Sequence, residues 1–265
     1  MTESHPTVDD PGGPLRVREA VADLLTGVTC LGCGRPGRLL CAPCRGALPT
    51  TAAPAVLDPV PPGLAPTWAA APYDGVVRAL VVGHKERRRL ALRAPLADLL
   101  AAAVRAAAPG AGPVLLAAVP SRPAVVRARG HDPLGAVVAL AARRLRHEGV
   151  AARVVRLLAP RGAVADQAGL DAAARAANLA GSLWCPHVRR LPATAAGSRL
   201  VVCDDVVTTG ATLAEAQRAL AAVGLPVTGH ATVAATLRRH PSSGRPAPTG
   251  ATSEPLPLPR ADRLH

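Results

Sequence analysis

The sequence predicts an α/β fold in which a mainly parallel sheet is flanked by helices. Short apolar runs, which are typical of buried strands, alternate with longer segments whose apolar residues recur at helical spacing. Strands that alternate with helices form parallel sheets covered on both faces. The 265 residues suffice for one such domain and a small appendage, and 49% of them are hydrophobic although none is Phe. We therefore expect a closely packed core of Ala, Val and Leu.

The predicted helices and strands follow one another in a regular order. Pro109, Gly110 and Gly112 end the first helix, and Pro120 follows the first strand. In chain order the elements are a helix at Leu96–Ala108, a strand at Val114–Val119, a helix at Leu134–His147, a strand at Arg153–Leu158, a helix at Leu170–Leu179, a strand at Arg199–Val206, a helix at Thr212–Val223 and a strand at Val227–Leu237.

Four of the six cysteines lie within fifteen residues, in two Cys-x-x-Cys pairs: Cys30, Cys33, Cys41 and Cys44. Two such turns present four thiolates, which complete the tetrahedral shell of a structural Zn²⁺ ion. A closed shell has no open position, so its role would be folding or docking. A redox pair and two disulfides are the alternatives, and disulfides are disfavoured in a cytosolic protein. Cys185 and Cys203 have no partner at ligand spacing and are interpreted as ordinary thiols.

Composition divides the chain into five parts. Residues 49–66 are rich in Pro and indicate a linker between the cysteine knuckle and the main domain. The tail has little to bury and is predicted to be disordered. The predicted parts are an N-terminal segment at 1–27, a zinc knuckle at 28–48, the linker at 49–66, the α/β domain at 67–239 and the tail at 240–265.

The charge favours anionic partners. The net charge is +13, from thirty Arg and the single lysine Lys85. This implies affinity for nucleic acid or phosphorylated small molecules, although a solvated arginine surface explains it equally well. Single-stranded DNA is a candidate partner, but the chain lacks the aromatics on which bases usually stack. The polar N-terminus is unlike a signal peptide and no apolar run is long enough to span a bilayer, so we expect a cytoplasmic protein without membrane insertion.

The strongest functional signal is the segment VVCDDVVTTGATL at Val201–Leu213. An apolar strand places Asp204 and Asp205 at its carboxyl end, where ligands bind in open parallel sheets. If the strand persists there, the two side chains point to opposite sides. Two carboxylates can accept hydrogen bonds from the two hydroxyls of a ribose.

The turn that follows is suited to a phosphate. Its backbone N–H groups and three hydroxyls stand at a helix N-terminus, and Gly210 lets the backbone approach an anion closely. The alternative is an ordinary strand–turn–helix with an acidic cap. The residues of this turn are Thr208, Thr209, Gly210, Ala211 and Thr212.

This segment resembles the phosphoribosyl diphosphate signature of the type I phosphoribosyltransferases. Over roughly residues 28 to 237 the chain also resembles the narrower ComF family, whose members are phosphoribosyltransferase homologues associated with natural DNA uptake. Four further stretches carry this resemblance: the paired Cys-x-x-Cys, YDGVVRALVVGHK at Tyr73–Lys85, VPSRPAVVRARGHD at Val119–Asp132, and the spaced set Gln167, Leu170, Arg175, Asn178 and Leu179. The chain departs from the family at His131–Asp132, where an aromatic residue and Asn are usual, so a base-stacking role there is in doubt.

The resemblance implies a type I phosphoribosyltransferase fold and a role for each matching residue. Asp204 and Asp205 would hold the ribose hydroxyls, and residues 208–212 the 5′-phosphate. Ser121 and Arg122 would contact the diphosphate. Lys85, Arg127 and Arg129 are further anion contacts, with solvated surface charge as the alternative. Residues 161–167 would form a mobile loop over the site, with a plain surface connection as the alternative.

The function that this resemblance implies is transfer of phosphoribosyl to or from an acceptor. Phosphoribosyl diphosphate would bind with Mg²⁺, which substrate oxygens would hold. The alternative is a non-catalytic nucleotide- or DNA-binding accessory of DNA uptake. No residue stands out as a general base, and the acceptor is not identified. Acceptor specificity would lie in a hood built from residues before Tyr73 and around Trp184.

Overall fold

The computed structural model describes residues 27–121, 132–161, 181–188, 191 and 197–236. Within these residues the predicted class is confirmed, since a mainly parallel sheet is flanked by helices. The predicted helix at Leu170–Leu179, the tail at 240–265 and almost all of the segment at 1–27 lie outside the described residues.

The elements of the described part have these bounds. The strands are β1 (Ala53–Pro54), β2 (Thr67–Pro72), β3 (Val114–Ala118), β4 (Ala152–Val155), β5 (Ala159–Pro160), β6 (Leu183–Trp184), β7 (Arg199–Val207) and β8 (Gly229–Ala235). The helices are α1 (Ala42–Gly46), α2 (Gly75–Lys85), α3 (Arg93–Ala107), α4 (Pro133–His147) and α5 (Ala211–Ala221), with a 3₁₀ turn at Leu90–Leu92.

Six of these strands form one sheet in the order β1-β2-β8-β7-β3-β4. Neighbouring strands are parallel except for β1 and β2, which are antiparallel. The chain leaves β3 towards the edge strand β4 and returns later to place β7 on the other side of β3. Connections that diverge in this way open a crevice at the carboxyl ends of the two strands, where ligands bind in open α/β sheets. Strands β5 and β6 form a separate antiparallel pair.

Small aliphatic side chains build the core. Every residue of β8 is buried, and so are residues 200–203 of β7. Helix α3 packs against β2 and β8. Five of the ten buried residues of α3 are alanines, which let the helix backbone approach the sheet. The close packing that the composition predicts is therefore achieved mainly with Ala, Val and Leu.

The predicted strand at Arg153–Leu158 is shorter in the structure. Its last residue pair with the neighbouring strand β3 is Val155 with Ala117. Leu157 and Leu158 are buried all the same. The apolar run extends beyond the strand because these side chains pack into the core after the backbone pairing has ended.

The Pro-rich segment at 49–66, predicted as a linker, packs against the domain. It contains β1, and the side chain of Leu57 is buried. Gln217 of α5 holds its end, because Gln217 Oε1 accepts from the Ala65 N–H at 2.9 Å and Nε2 donates to the Gly63 carbonyl at 2.7 Å. The segment therefore connects the cysteine cluster to the sheet and also lies against α5.

His230, near the start of β8, is fully buried beside the same glutamine. Its Nε2 lies 3.0 Å from Gln217 Oε1, which can only accept, so Nε2 carries the proton. The other ring nitrogen, Nδ1, has no hydrogen-bond partner in the described part of the chain. Burial lowers the pKa of His230 to about 4.

We expect the free energy of unfolding to fall as the pH drops from 6.5 towards 4. The unfolded imidazole binds a proton below its ordinary pKa, whereas the folded one stays neutral, so the contribution is complete above that pKa and is lost in acid. The loss amounts to roughly 3 kcal/mol. Urea unfolding of the wild type and of His230→Gln across this pH range measures it. Parallel curves for the two proteins would contradict the assignment.

Candidate functional site

Strand β7 continues through Val207, so Asp204 and Asp205 both lie within it. Successive side chains of a strand point to opposite sides of the sheet. Asp205 faces helix α2, and its Oδ2 lies 2.7 Å from the Nζ of Lys85. The exposed fractions are 37% for the lysine side chain and 22% for the aspartate, so water screens this ion pair only in part. The structure therefore brings together two predicted site residues that are 120 positions apart.

Asp204 lies in a more confined environment than its neighbour. Burial and the nearby charge of Asp205 raise the pKa of Asp204 to about 8, although the Lys85 charge acts in the opposite direction. Asp204 Oδ1 accepts a hydrogen bond of 2.8 Å from the Asp205 N–H. On balance these effects favour the neutral form of Asp204. A bound cation would favour release of that proton.

The turn after β7 leads directly into α5. Gly210 precedes the helix with φ +77°, a left-handed conformation that favours glycine. The Ala211 N–H donates to Thr209 Oγ1 at 3.4 Å. Thr208 is exposed, while Thr209 and Thr212 are half-buried. The predicted phosphate turn therefore stands at the N-terminus of an 11-residue helix, with hydroxyls on both sides of the glycine.

Apolar side chains from the 49–66 segment cover this turn. A Cβ placed on Gly210 would lie 2.9 Å from Leu57 Cδ1, 3.3 Å from Leu64 Cδ2 and 3.4 Å from Pro61 Cγ. Only glycine fits both the space and the backbone angle. We did not predict this cover from the sequence, although the recurring apolar residues of the segment are its signal.

The turn after β3 lies beside β7. The Val119 N–H donates to the Cys203 carbonyl at 2.9 Å, which joins the two strands at the edge of the crevice. Ser121 follows and is half-buried. Arg122, Arg127 and Arg129 lie outside the described residues. Asp132, at the position where the chain departs from the ComF pattern, caps α4 by accepting from the Gly135 N–H at 3.0 Å.

A small pocket adjoins Asp205. His84, Lys85 and Asp205 form its polar side, and aliphatic side chains of α2, α3, α4 and β8 form the rest. His84 is buried, and its Nε2 lies 3.3 Å from the carbonyl of Pro133 at the start of α4. His84 is not among the site residues predicted from the sequence, where only its position next to Lys85 indicates it.

The first residue of the predicted mobile loop at 161–167 lies next to the segment that contains β6. The Arg161 N–H donates to the Ser182 carbonyl at 2.7 Å, and the Arg161 guanidinium lies 5.7 Å from the centroid of the Trp184 ring. Buried Glu215 accepts from the Leu183 N–H at 2.9 Å and pairs with Arg218 at 2.7 Å. The rest of the loop, and the set from Gln167 to Leu179, lie outside the described residues.

The four cysteines of the N-terminal module form a cluster with the dimensions of a metal site. Their sulfurs all lie within 4.8 Å of one another, and Cys33 Sγ is 3.6 Å from Cys41 Sγ. A tetrahedral shell with Zn–S bonds near 2.3 Å has sulfurs about 3.8 Å apart. All four are free thiols, so the structure does not contain the disulfide alternative.

The electrostatics of the cluster also suit a cation. Burial alone would raise the pKa of Cys30, but backbone N–H groups, including those of Gly32 and Cys41 at 3.4 Å, lower it to about 6. Sulfur contacts with Cys41 and Cys33 raise the pKa of Cys44 to about 12. The Cys30 thiolate therefore forms readily, whereas deprotonation of Cys44 needs a positive charge between the four sulfurs. The group can therefore hold a structural Zn²⁺ ion.

Comparison with family models and with curated proteins identifies no relative of the chain. Within the described ranges, no helix combines the length and the apolarity needed to cross a bilayer.

Proposed function

We propose that the chain is a type I phosphoribosyltransferase-like protein that binds phosphoribosyl diphosphate with Mg²⁺ at the β7–α5 turn. One observation carries the proposal: two adjacent carboxylates lie in the central strand β7, after its buried residues 200–203, and a glycine turn at a helix N-terminus follows that strand at the crevice between β3 and β7. This is the arrangement that a ribose carrying phosphates requires. The ComF resemblance of the motifs supports the same function.

In this proposal each part of the site has one task. Asp204 and Asp205 hold the ribose hydroxyls, and residues 208–212 hold the 5′-phosphate. Ser121 and Arg122 contact the diphosphate, and Lys85, Arg127 and Arg129 are further anion contacts. The cysteine cluster holds a structural Zn²⁺ ion that has no part in the chemistry.

The reaction is displacement at the anomeric carbon of the ribose. A nucleophile forms a bond to this carbon while the bond to the diphosphate oxygen breaks, and the diphosphate leaves with both electrons. The protein acts by stabilising negative charge on the leaving group and by fixing the ribose phosphate. Mg²⁺ would supply charge neutralisation on the diphosphate.

The test is calorimetric titration of phosphoribosyl diphosphate with and without Mg²⁺. We expect micromolar binding that needs the cation and weakens at least about 100-fold in a variant carrying Asp204→Asn and Asp205→Asn, because an amide oxygen accepts hydrogen bonds from the ribose hydroxyls more weakly than a carboxylate does. Glu148→Gln is the charge control, since Glu148 caps the far end of α4 and pairs with Arg105.

Unchanged binding in the double variant would place the ligand elsewhere. An absence of binding to the folded wild type would overturn the proposal. It would favour the accessory function, for which the exposed arginines are the supporting observation; these are Arg35, Arg38, Arg87 and Arg88. A steep dependence of single-stranded DNA binding on salt would then be expected.

A further inference from the structure

Three successive residues at the end of α2 contact three different parts of the molecule. Gly83 lies against the cysteine module, since its Cβ position is 3.6 Å from Leu31 Cδ1. His84 Nε2 lies 3.3 Å from the Pro133 carbonyl. Lys85 Nζ lies 2.7 Å from Asp205 Oδ2. One helical turn therefore joins the module, the start of α4 and the carboxylate of the candidate site.

The module contacts α2 through the two residues between its first pair of cysteines. The absence of a side chain at Gly83 leaves room for Leu92, whose Cδ1 lies 2.7 Å from the Cβ position, and Leu31 packs beside it at 3.6 Å. The Cβ position of Gly32 lies 3.5 Å from Val76 Cγ2 near the other end of α2. Leu31 and Gly32 lie between Cys30 and Cys33. An ion bound by the sulfurs of these two cysteines would therefore also hold Leu31 and Gly32 in place against α2.

A second contact anchors the module without using α2. Arg45 of α1 pairs with Asp98 of α3 at 2.9 Å, and Asp98 also pairs with Arg144 at 3.0 Å. These side chains are 41–49% exposed, so each pair contributes little stability. The module thus has an apolar contact to the helix that bears Lys85 and a separate polar contact to the neighbouring helices.

We propose that the metal-bound cysteine module positions Lys85 against Asp205, so that metal occupancy of the module regulates the anion site. The bound ion holds the turn from Cys30 to Cys33, Leu31 packs on Gly83, and the last turn of α2 directs Lys85 towards Asp205. Loss of the metal releases the turn, and Lys85 leaves the carboxylate. Two experiments test this proposal. The one that measures ligand affinity rests on the proposed function, whereas the one that measures the reactivity of Lys85 does not.

The first experiment needs no ligand, because Lys85 is the single lysine of the chain. An amine in an ion pair resists acylation, since only its neutral form reacts. We expect acetic anhydride to label Lys85 roughly three- to five-fold faster in metal-stripped protein and in zinc-loaded Leu31→Ala than in zinc-loaded wild type, as mass spectrometry of the Lys85 peptide reports. Asp205→Asn removes the ion pair, so its labelling rate gives the rate expected for a fully released Lys85. Arg45→Ala is the control, because it loosens the module from α3 and leaves the Leu31 contact in place.

Equal labelling rates in wild type, stripped protein and Leu31→Ala would overturn the proposal. Rapid labelling in Arg45→Ala as well would also overturn it, because any loosening of the module would then suffice. Zinc content and circular dichroism of every sample keep an unfolded variant from being read as a positive result. The Leu31→Ala arm retains all four metal ligands, so it tests the contact even if stripped protein unfolds.

The second experiment combines metal removal with substitution of Lys85 in a thermodynamic cycle and measures ligand affinity. Affinity for phosphoribosyl diphosphate is measured for wild type and Lys85→Met, each loaded with zinc or stripped of it and freed of chelator. We expect stripping to weaken binding several-fold in wild type and to have no further effect in Lys85→Met. An equal loss in both proteins would show general loosening and refute positioning through Lys85. If wild type binds no ligand, the proposed function fails while the labelling result still decides the coupling.

Discussion

Replacing Cys41 by serine should remove bound zinc and unfold the N-terminal module. Three thiolates and a hydroxyl bind Zn²⁺ far less tightly than four thiolates. Loss of a residue that only supports a metal ligand lowers metal affinity up to roughly 100-fold, and loss of a ligand itself should lower it further. Metal analysis should fall from one zinc per chain to near zero. Because binding energy at such a site is folding energy, amide exchange across residues 28–48 should accelerate by orders of magnitude.

The matched control is Cys185→Ser. Cys185 is a buried thiol outside the cluster, and burial raises its pKa, so it has no tendency to bind a metal as thiolate. This variant should keep its zinc and the slow exchange of the module. Full zinc content in Cys41→Ser, or zinc loss in Cys185→Ser, would show that the cluster is not the metal site.

Replacing Gly210 by valine should destabilise the protein by about 3 to 5 kcal/mol and abolish ligand binding. The residue has φ +77°, where a branched side chain is strained, and its Cβ would lie 2.9 Å from Leu57. Relief of the clash would displace the turn or the segment that covers it, and either movement misplaces the N–H groups that would hold the phosphate. Urea unfolding and calorimetry measure the two effects.

The control Gly224→Val separates the backbone strain at Gly210 from the clash of a new side chain with its neighbours. Gly224 has the same φ of +77°, but no atom lies within 4 Å of its Cβ position. This control should lose only about 1 to 2 kcal/mol and retain its ligand affinity. Similar losses in the two variants would show that the cover over Gly210 yields easily. Intact binding in Gly210→Val would remove the turn from the proposed site.

Local patterns predicted most of the regular structure in the described part. The strand predicted at Arg199–Val206 is β7 with one more residue, and the helix predicted at Leu134–His147 is α4 with one more. Both segments have uninterrupted periodicity and clear end signals, such as the proline that opens α4. The four clustered cysteines were also evident, because metal ligands close together in space are here close together in sequence.

What the sequence could not predict depends on contacts between distant residues. No local pattern indicates that Lys85 pairs with Asp205, because the pairing depends on where the tertiary fold places the end of α2. The cover over Gly210 was missed for the same reason, since proline content suggests a linker whatever the segment packs against. The direction of the two aspartates depended on where β7 ends. Pairing with β8 extends β7 past both aspartates, whereas pairing with β3 ends at Cys203.

The two-residue strand β1 affects the tendency of the protein to aggregate at high concentration. It occupies the outer edge of the sheet beside β2, where unpaired N–H and C=O groups would otherwise invite a strand from another molecule. Pro54 has no N–H to donate, and β1 pairs with β2 through its two residues Ala53 and Pro54. The edge is thus too short and too poor in donors to template intermolecular pairing. A chain segment rich in proline thereby protects this side of the sheet against aggregation.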